Sequence, residues 1–134
     1  MKSPEEVRKV LTQGWLIKAE EDFRVAEHLM KHDAPFFTAI GFHAQQATEK
    51  YLKALLVHYQ LEFPKTHNLG ELLDIVALRN ASLADSLRDV TLLNPFGVDV
   101  RYPDDMLQST RSDAERALAL ATKVRDAILP LLQG

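Results

Sequence analysis

The chain contains no cysteine, which excludes a disulfide framework, a thiolate metal site and a cysteine nucleophile, and suits a reducing compartment. Its five glycines, at positions 14, 41, 70, 97 and 134, are scattered. They never form the loop that turns successive backbone N–H groups toward a phosphate, so a P-loop and a dinucleotide fingerprint are excluded. No apolar run approaches the roughly 18 residues of a spanning helix, and the opening MKSPEEVRKV has no apolar h-region. The expectation is a cytoplasmic chain with neither signal peptide nor membrane segment. There is no HExxH and no Glu-x-x-His pair. His28 and His32 stand four apart, but two histidines in a last helical turn suit the helix dipole as surface residues. No metal or cofactor is expected. A net charge of −3 argues against a wrapper of long nucleic acid while leaving room for a local basic groove. Strand alternation, internal repeats and low-complexity tracts are also missing.

What is present is helical periodicity, in 134 residues of which 46% are hydrophobic, enough for a single domain spanning residues 1–134. The centre of the chain is FFTAIGFHAQQATEKYLKALLVHY, residues 36–59. Phe36, Phe37, Ile40, Ala44, Ala47, Tyr51, Ala54 and Leu55 fall on one broad arc of a helical wheel, as expected for a helix buried against several neighbours. Gln46, Glu49, Lys50 and Lys53 recur on the other side at three- and four-residue steps, with His43 at the boundary. That row is either the solvated face of an amphipathic helix or a line of donors for a ligand.

Ser3-Pro4-Glu5-Glu6 carries a capping box and a first-turn proline, so a helix starts there. Its apolar stripe runs Trp15, Ala19, Phe23, Ala26, Leu29 and Met30, interrupted by Asp22, with Gly14 a candidate bend. It stops at His32-Asp33-Ala34-Pro35. After a break at Leu61–Lys65, Asn68 and Glu71 have capping-box spacing ahead of a third helix reaching about Leu78. Arg79-Asn80-Ala81-Ser82 offers a turn and another N-cap ahead of a short fourth helix holding Leu83, Leu87 and Val90. Asn94 to Pro103, NPFGVDVRYP, has no helical period and is too apolar for a solvated linker, which predicts an ordered loop. Ser112-x-x-Glu115 opens the last helix, which runs to near Pro130. The fold class expected is all-α: an antiparallel up-and-down bundle of three long and two short helices.

Within the loop, Arg101 lies between Val100 and Tyr102, where an arginine needs a carboxylate, a carbonyl or a phosphate. His67, just before the third helix, is either a capping-region histidine or a ligand group. FHAQQATEKYLKALLV on the central helix, FPKTHNLGELL after it and DVRYPDD ahead of the last helix, in that order and spacing, together with the pattern from Trp15 to Leu29, resemble the HEPN domain family over nearly the whole chain. The resemblance implies an all-α bundle that commonly forms homodimers and is often encoded beside a minimal nucleotidyltransferase as a toxin–antitoxin-type pair. It further implies either nucleotide binding or metal-independent ribonuclease activity. In active relatives an Arg is followed, after four to six intervening residues, by a His. Counting from Arg101, those positions hold Met106, Leu107 and Gln108, and no His follows His67. Arg101 alone can hold phosphate but cannot exchange a proton near neutral pH. The expectation is therefore a dimeric binding protein for a nucleotide or RNA phosphate. Arg101 would be the anchor, Lys50 and Lys53 secondary charges, Gln46, His43 and His67 hydrogen-bonding groups, and Tyr102 a stacking platform. A ribonuclease with a rearranged acid/base and a purely structural dimerisation module are the alternatives.

Overall fold

A computed structural model describes residues 2–33, 35–97 and 109–133. Helix α1 spans Pro4–Lys31, α2 Phe37–His58, α3 Leu69–Ala77 and α4 Ala81–Ser86; a 3-10 helix covers Arg88–Phe96, and α5 covers Arg111–Leu132. No strand occurs among the described residues, and the all-α expectation holds. None of these helices is long and apolar enough to cross a membrane.

Helix α2 is the axis of the molecule, packed by α1, α3, the 3-10 helix and α5. Ile40, Ala44, Ala47, Tyr51, Leu52, Leu55 and Leu56 are fully buried along it. Phe36, expected on the core arc, is instead 59% exposed, because it is the N-cap and lies outside the helical wheel. Helix α1 runs antiparallel to α2. The intervening short helices then carry the chain back, so that α5 begins beside the start of α2, where the Thr38 hydroxyl donates to Ser109 Oγ at 3.0 Å.

The Ser3/Glu6 capping box forms as expected, and α1 continues unbroken through Gly14. At α3 only half of the expected box forms. The Asn68 side chain accepts from the Gly70 and Glu71 N–H groups, while its own N–H donates to Thr66 Oγ1. The start of α5 lies two residues earlier than expected, at Thr110 paired reciprocally with Asp113. The earlier start brings Arg111 into the first turn, over the Phe37 ring and paired with Asp33. The largest difference is at residues 88–96. Leu87, Val90, Leu93 and Phe96 recur every third residue, and a turn of three residues keeps all four on one face where an α-helix would rotate them apart. Asn94-Pro95-Phe96, expected in a loop, therefore ends the 3-10 helix. The Phe96 ring lies directly on Gly41 of α2, where a Cβ would fall inside contact distance.

Candidate functional site

The row on α2 is not a solvated face. Gln46, Glu49 and Lys53 are 8%, 3% and 6% exposed, because α2 has neighbours on nearly every side and the polar positions must pair inside. The Glu49 carboxylate is the centre of one cluster. Lys53 Nζ donates to its Oε2 at 3.0 Å, and His67 Nδ1 lies 2.9 Å from its Oε1. Gln45 donates to the His67 carbonyl at 3.2 Å and to Glu49 Oε1 at 3.4 Å, and Gln46 donates to Gln45 Oε1 at 2.8 Å. The Lys53 ammonium also sits 5.3 Å from the centroid of the Trp15 ring and 5.9 Å from that of Phe63, which offsets part of its lost hydration. A buried carboxylate needs such complete pairing to stay ionised.

His43 and Lys50 belong to a second cluster, on the side of α2 that faces α1. Asp22 accepts from Lys50 Nζ at 2.5 Å and lies 2.8 Å from His43 Nδ1. The acidic interruption in the α1 stripe is thus the partner of Lys50 and His43 on the neighbouring helix. A third cluster joins three helices: Tyr51 OH donates to Glu20 Oε1 at 2.6 Å, and Arg125 donates to the two Glu20 oxygens at 2.8 and 3.2 Å. Burial pushes the Tyr51 phenol far above its ordinary range, and the Glu20 carboxylate adds to the shift. Burial also raises the Glu20 carboxyl, but hydrogen bonds from Arg125 and Tyr51 outweigh it and hold the group below its ordinary value.

The first cluster opens to a surface recess. A depression of about 330 Å³ is lined by Lys65, Thr66, His67, Asn68, Asn94 and Gly97. Asn94 fixes one wall by accepting the Leu69 N–H at 3.0 Å. The His67 side chain is about half exposed on its rim while its Nδ1 is held by buried Glu49. A carboxylate at Nδ1 selects the tautomer that leaves Nε2 as the second ring nitrogen for an incoming group. Gly97 is the residue from which the chain passes into 98–108. Arg101, Tyr102 and Met106 lie outside the described residues.

Of the expected site residues, Gln46, Lys53 and His67 are thus drawn into one network, while His43 and Lys50 are held apart around Asp22. Lys50 and Lys53 each have a carboxylate partner inside the chain. Glu49 was expected in the polar row, but as a donor-face residue rather than the centre of a cluster, and Gln45, Lys65 and Asn94 were not expected as site residues. No group of three metal-ligating side chains converges among the described residues, and the His28 and His32 rings lie 4.3 Å apart at the exposed end of α1.

A family model described as HEPN domain matches residues 12–131. The crystal structure of an archaeal HEPN homologue superposes with a TM-score of 0.71 at 21% identity, covering 91% of this chain and 98% of that one. A second crystal structure, of a protein from Thermus thermophilus, gives a TM-score of 0.69 at 26% identity and covers 87% of this chain and 94% of that one. No curated protein is significantly similar to the chain.

Proposed function

The chain belongs to the HEPN domain family, and from that membership we propose that it is a dimeric, cytoplasmic binding protein for a nucleotide or RNA phosphate, paired with a minimal nucleotidyltransferase in a toxin–antitoxin-type system. The observation that carries the reading is the recess at the Asn68 end of α3. It combines the Lys65 cation, hydroxyl and amide groups from Thr66, Asn68 and Asn94, and a half-exposed His67 locked from beneath. Arg101 follows Gly97 by four residues. We propose that its guanidinium supplies the bidentate phosphate contact that Lys65 alone lacks. Because Glu49 and Asp22 already hold Lys53 and Lys50, the phosphate charge is met by Arg101 and Lys65 first. Tyr102, next to Arg101, offers a ring on which a base stacks. Leu92, 61% exposed on the 3-10 helix beside this region, supplies apolar surface for the dimer.

One observation favours a second reading, a metal-independent ribonuclease with a rearranged acid/base. The Glu49–His67 pair has the geometry of an oriented proton-transfer group. A time course on a labelled oligoribonucleotide with wild type, Arg101→Ala and His67→Gln separates the two. The binding reading expects wild type to cleave no faster than Arg101→Ala, since general acid–base catalysis contributes about 10²- to 10⁴-fold and its group is missing from position 106. Cleavage lost in both variants would establish the ribonuclease instead. If cleavage is absent, Met106→His is expected to introduce some.

A further inference from the structure

Among the described residues, two buried side-chain polar atoms have no hydrogen-bond partner, Arg8 Nε and Thr12 Oγ1, and both belong to residues that line one recess. Buried polar groups are ordinarily satisfied, so two orphans at one place call for a common reason. The recess, of about 380 Å³, lies where the early turns of α1 meet the last residues of α2 and α5, and is lined by Arg8, Lys9, Thr12, Gln13, His58 and Leu132. It shares no lining residue with the recess at His67. Thr12 is 7% exposed. Thr48 of α2 and Thr122 of α5 spend their hydroxyls on the carbonyl four residues back, at 2.9 and 2.8 Å. Thr12 makes no such bond, and a helical threonine has two accessible χ1 wells, so its hydroxyl can turn into the recess without breaking anything.

Part of the positive charge here has an internal use. Arg8 Nη1 donates to the His58 carbonyl at 2.8 Å, Arg8 Nη2 pairs with Glu5, and Arg79 donates to the Tyr59 carbonyl at 3.4 Å, so these cations cover the carbonyl end of α2. Left over are Arg8 Nε, the Thr12 hydroxyl and the Lys9 ammonium, which, unlike those of Lys50, Lys53 and Lys123, pairs with no carboxylate among the described residues. A guanidinium nitrogen and an ammonium only donate. What completes the site is therefore an acceptor, and with Arg8 and Lys9 set against the single carboxylate of Glu5, one that carries negative charge. The field at His58 agrees. Burial first and Arg8 next hold its imidazole below the ordinary value, with Arg79 adding to the effect and Glu5 opposing it. We propose that this recess binds a phosphate dianion, either free phosphate or the end of a phosphate monoester, with Arg8 and Lys9 supplying charge and Thr12 and Gln13 supplying hydrogen bonds. Donors from two turns of α1 face His58 of α2 across the recess, and a tetrahedral oxyanion has acceptors in each of those directions, where a carboxylate has two in one plane. A diester inside a nucleic-acid strand keeps only two free oxygens and one charge.

This site is separate from the one at His67, and each has a histidine as its own reporter. The test is NMR titration of inorganic phosphate, and separately of ribose 5-phosphate, into the full chain at constant ionic strength, following the assigned ring protons of His58 and His67. The His58 signals are expected to shift and saturate in both titrations, and the His58 pKa to rise, because a bound dianion offsets the cations that depress it. Lys9→Gln and Thr12→Val are each expected to raise the half-saturating concentration at His58 by on the order of 10-fold and to leave the His67 response as in wild type. Thr12→Val keeps the shape of the side chain and removes only an unpartnered buried hydroxyl, so it is expected to be at least as stable as wild type, which separates lost binding from lost folding. Saturation at His58 with no response at His67 supports this site independently of the other recess. A His58 response no larger than that to chloride at the same ionic strength, or equal half-saturation in wild type and both variants, would overturn the proposal. A response only to an oligoribonucleotide without a terminal phosphate would assign the recess to an RNA surface and overturn it too.

Discussion

Glu49 shows what a residue identity conveys and what its neighbours add. On a helical wheel it belongs to a polar row with Gln46, Lys50 and Lys53, and such a row ordinarily faces water. In the fold the row is divided between two carboxylates, buried Glu49 and part-buried Asp22, and each side chain in it is committed to a partner. Asp22 was legible as an anomaly, since an acid inside an apolar stripe needs a cation, but the sequence could not say which cation. The energetic consequence is specific. Glu49→Ala leaves the Lys53 ammonium buried without its counter-charge and is expected to cost about 3–5 kcal/mol. Glu49→Leu combined with Lys53→Met removes both charges and is expected to recover most of that loss. Denaturant unfolding of both variants checks this, and equal destabilisation would mean that the pair is not energetically coupled. Gln60 carries a different local signal. With φ of 61° it closes α2 through the Leu61 N–H to Leu56 carbonyl and Gln60 N–H to Val57 carbonyl bonds, a position that glycine usually fills. Without a glycine, the sequence marked that stop only through the proline-containing break at Leu61–Lys65.

At the scale of elements, the helices were readable because amphipathic spacing and caps coincide, as at Ser3 and Glu6. They were less readable where two equally spaced boxes overlap, as at Thr110/Asp113 and Ser112/Glu115, and where the period changes. The step of three from Leu87 to Phe96 is short of the α-helical 3.6, and it specifies the tighter helix that seats Phe96 on Gly41 and delivers Gly97 to the recess. Helices α1, α2 and α5 are tied by Glu20, Tyr51 and Arg125, which gives a pH dependence of defined sign. The folded Glu20 carboxyl sits below its ordinary value of 4.5, so the unfolded chain takes up its proton first on acidification. The stability it contributes is present above about pH 4.5 and is lost as the pH falls through the folded value. Glu20→Gln is expected to lower stability at neutral pH and to lose less on acidification. Chemical unfolding across that range tests this, and parallel pH slopes for the two proteins would contradict it.

At the scale of the molecule, the bundle returns α5 to the start of α2, and the Glu49 cluster of α2 reaches a recess between the turn before α3 and the end of the 3-10 helix. The HEPN resemblance was carried by three short motifs, two of which, around Gln45–Lys53 and Lys65–Asn68, meet in this recess. The third, DVRYPDD, lies outside the described residues. That convergence could not be read from spacing, because it depends on α3 and the 3-10 helix folding back across α2. The most direct test of the account is calorimetric titration of a short oligoribonucleotide into wild type, Arg101→Lys and Arg101→Ala at one fixed salt concentration, with unfolding curves for each. The account predicts measurable wild-type affinity, weakened by about 1–3 kcal/mol in Arg101→Lys, where a point charge replaces a bidentate donor, and weakened further in Arg101→Ala. Equal affinities for the three proteins, with all of them equally stable, would contradict it.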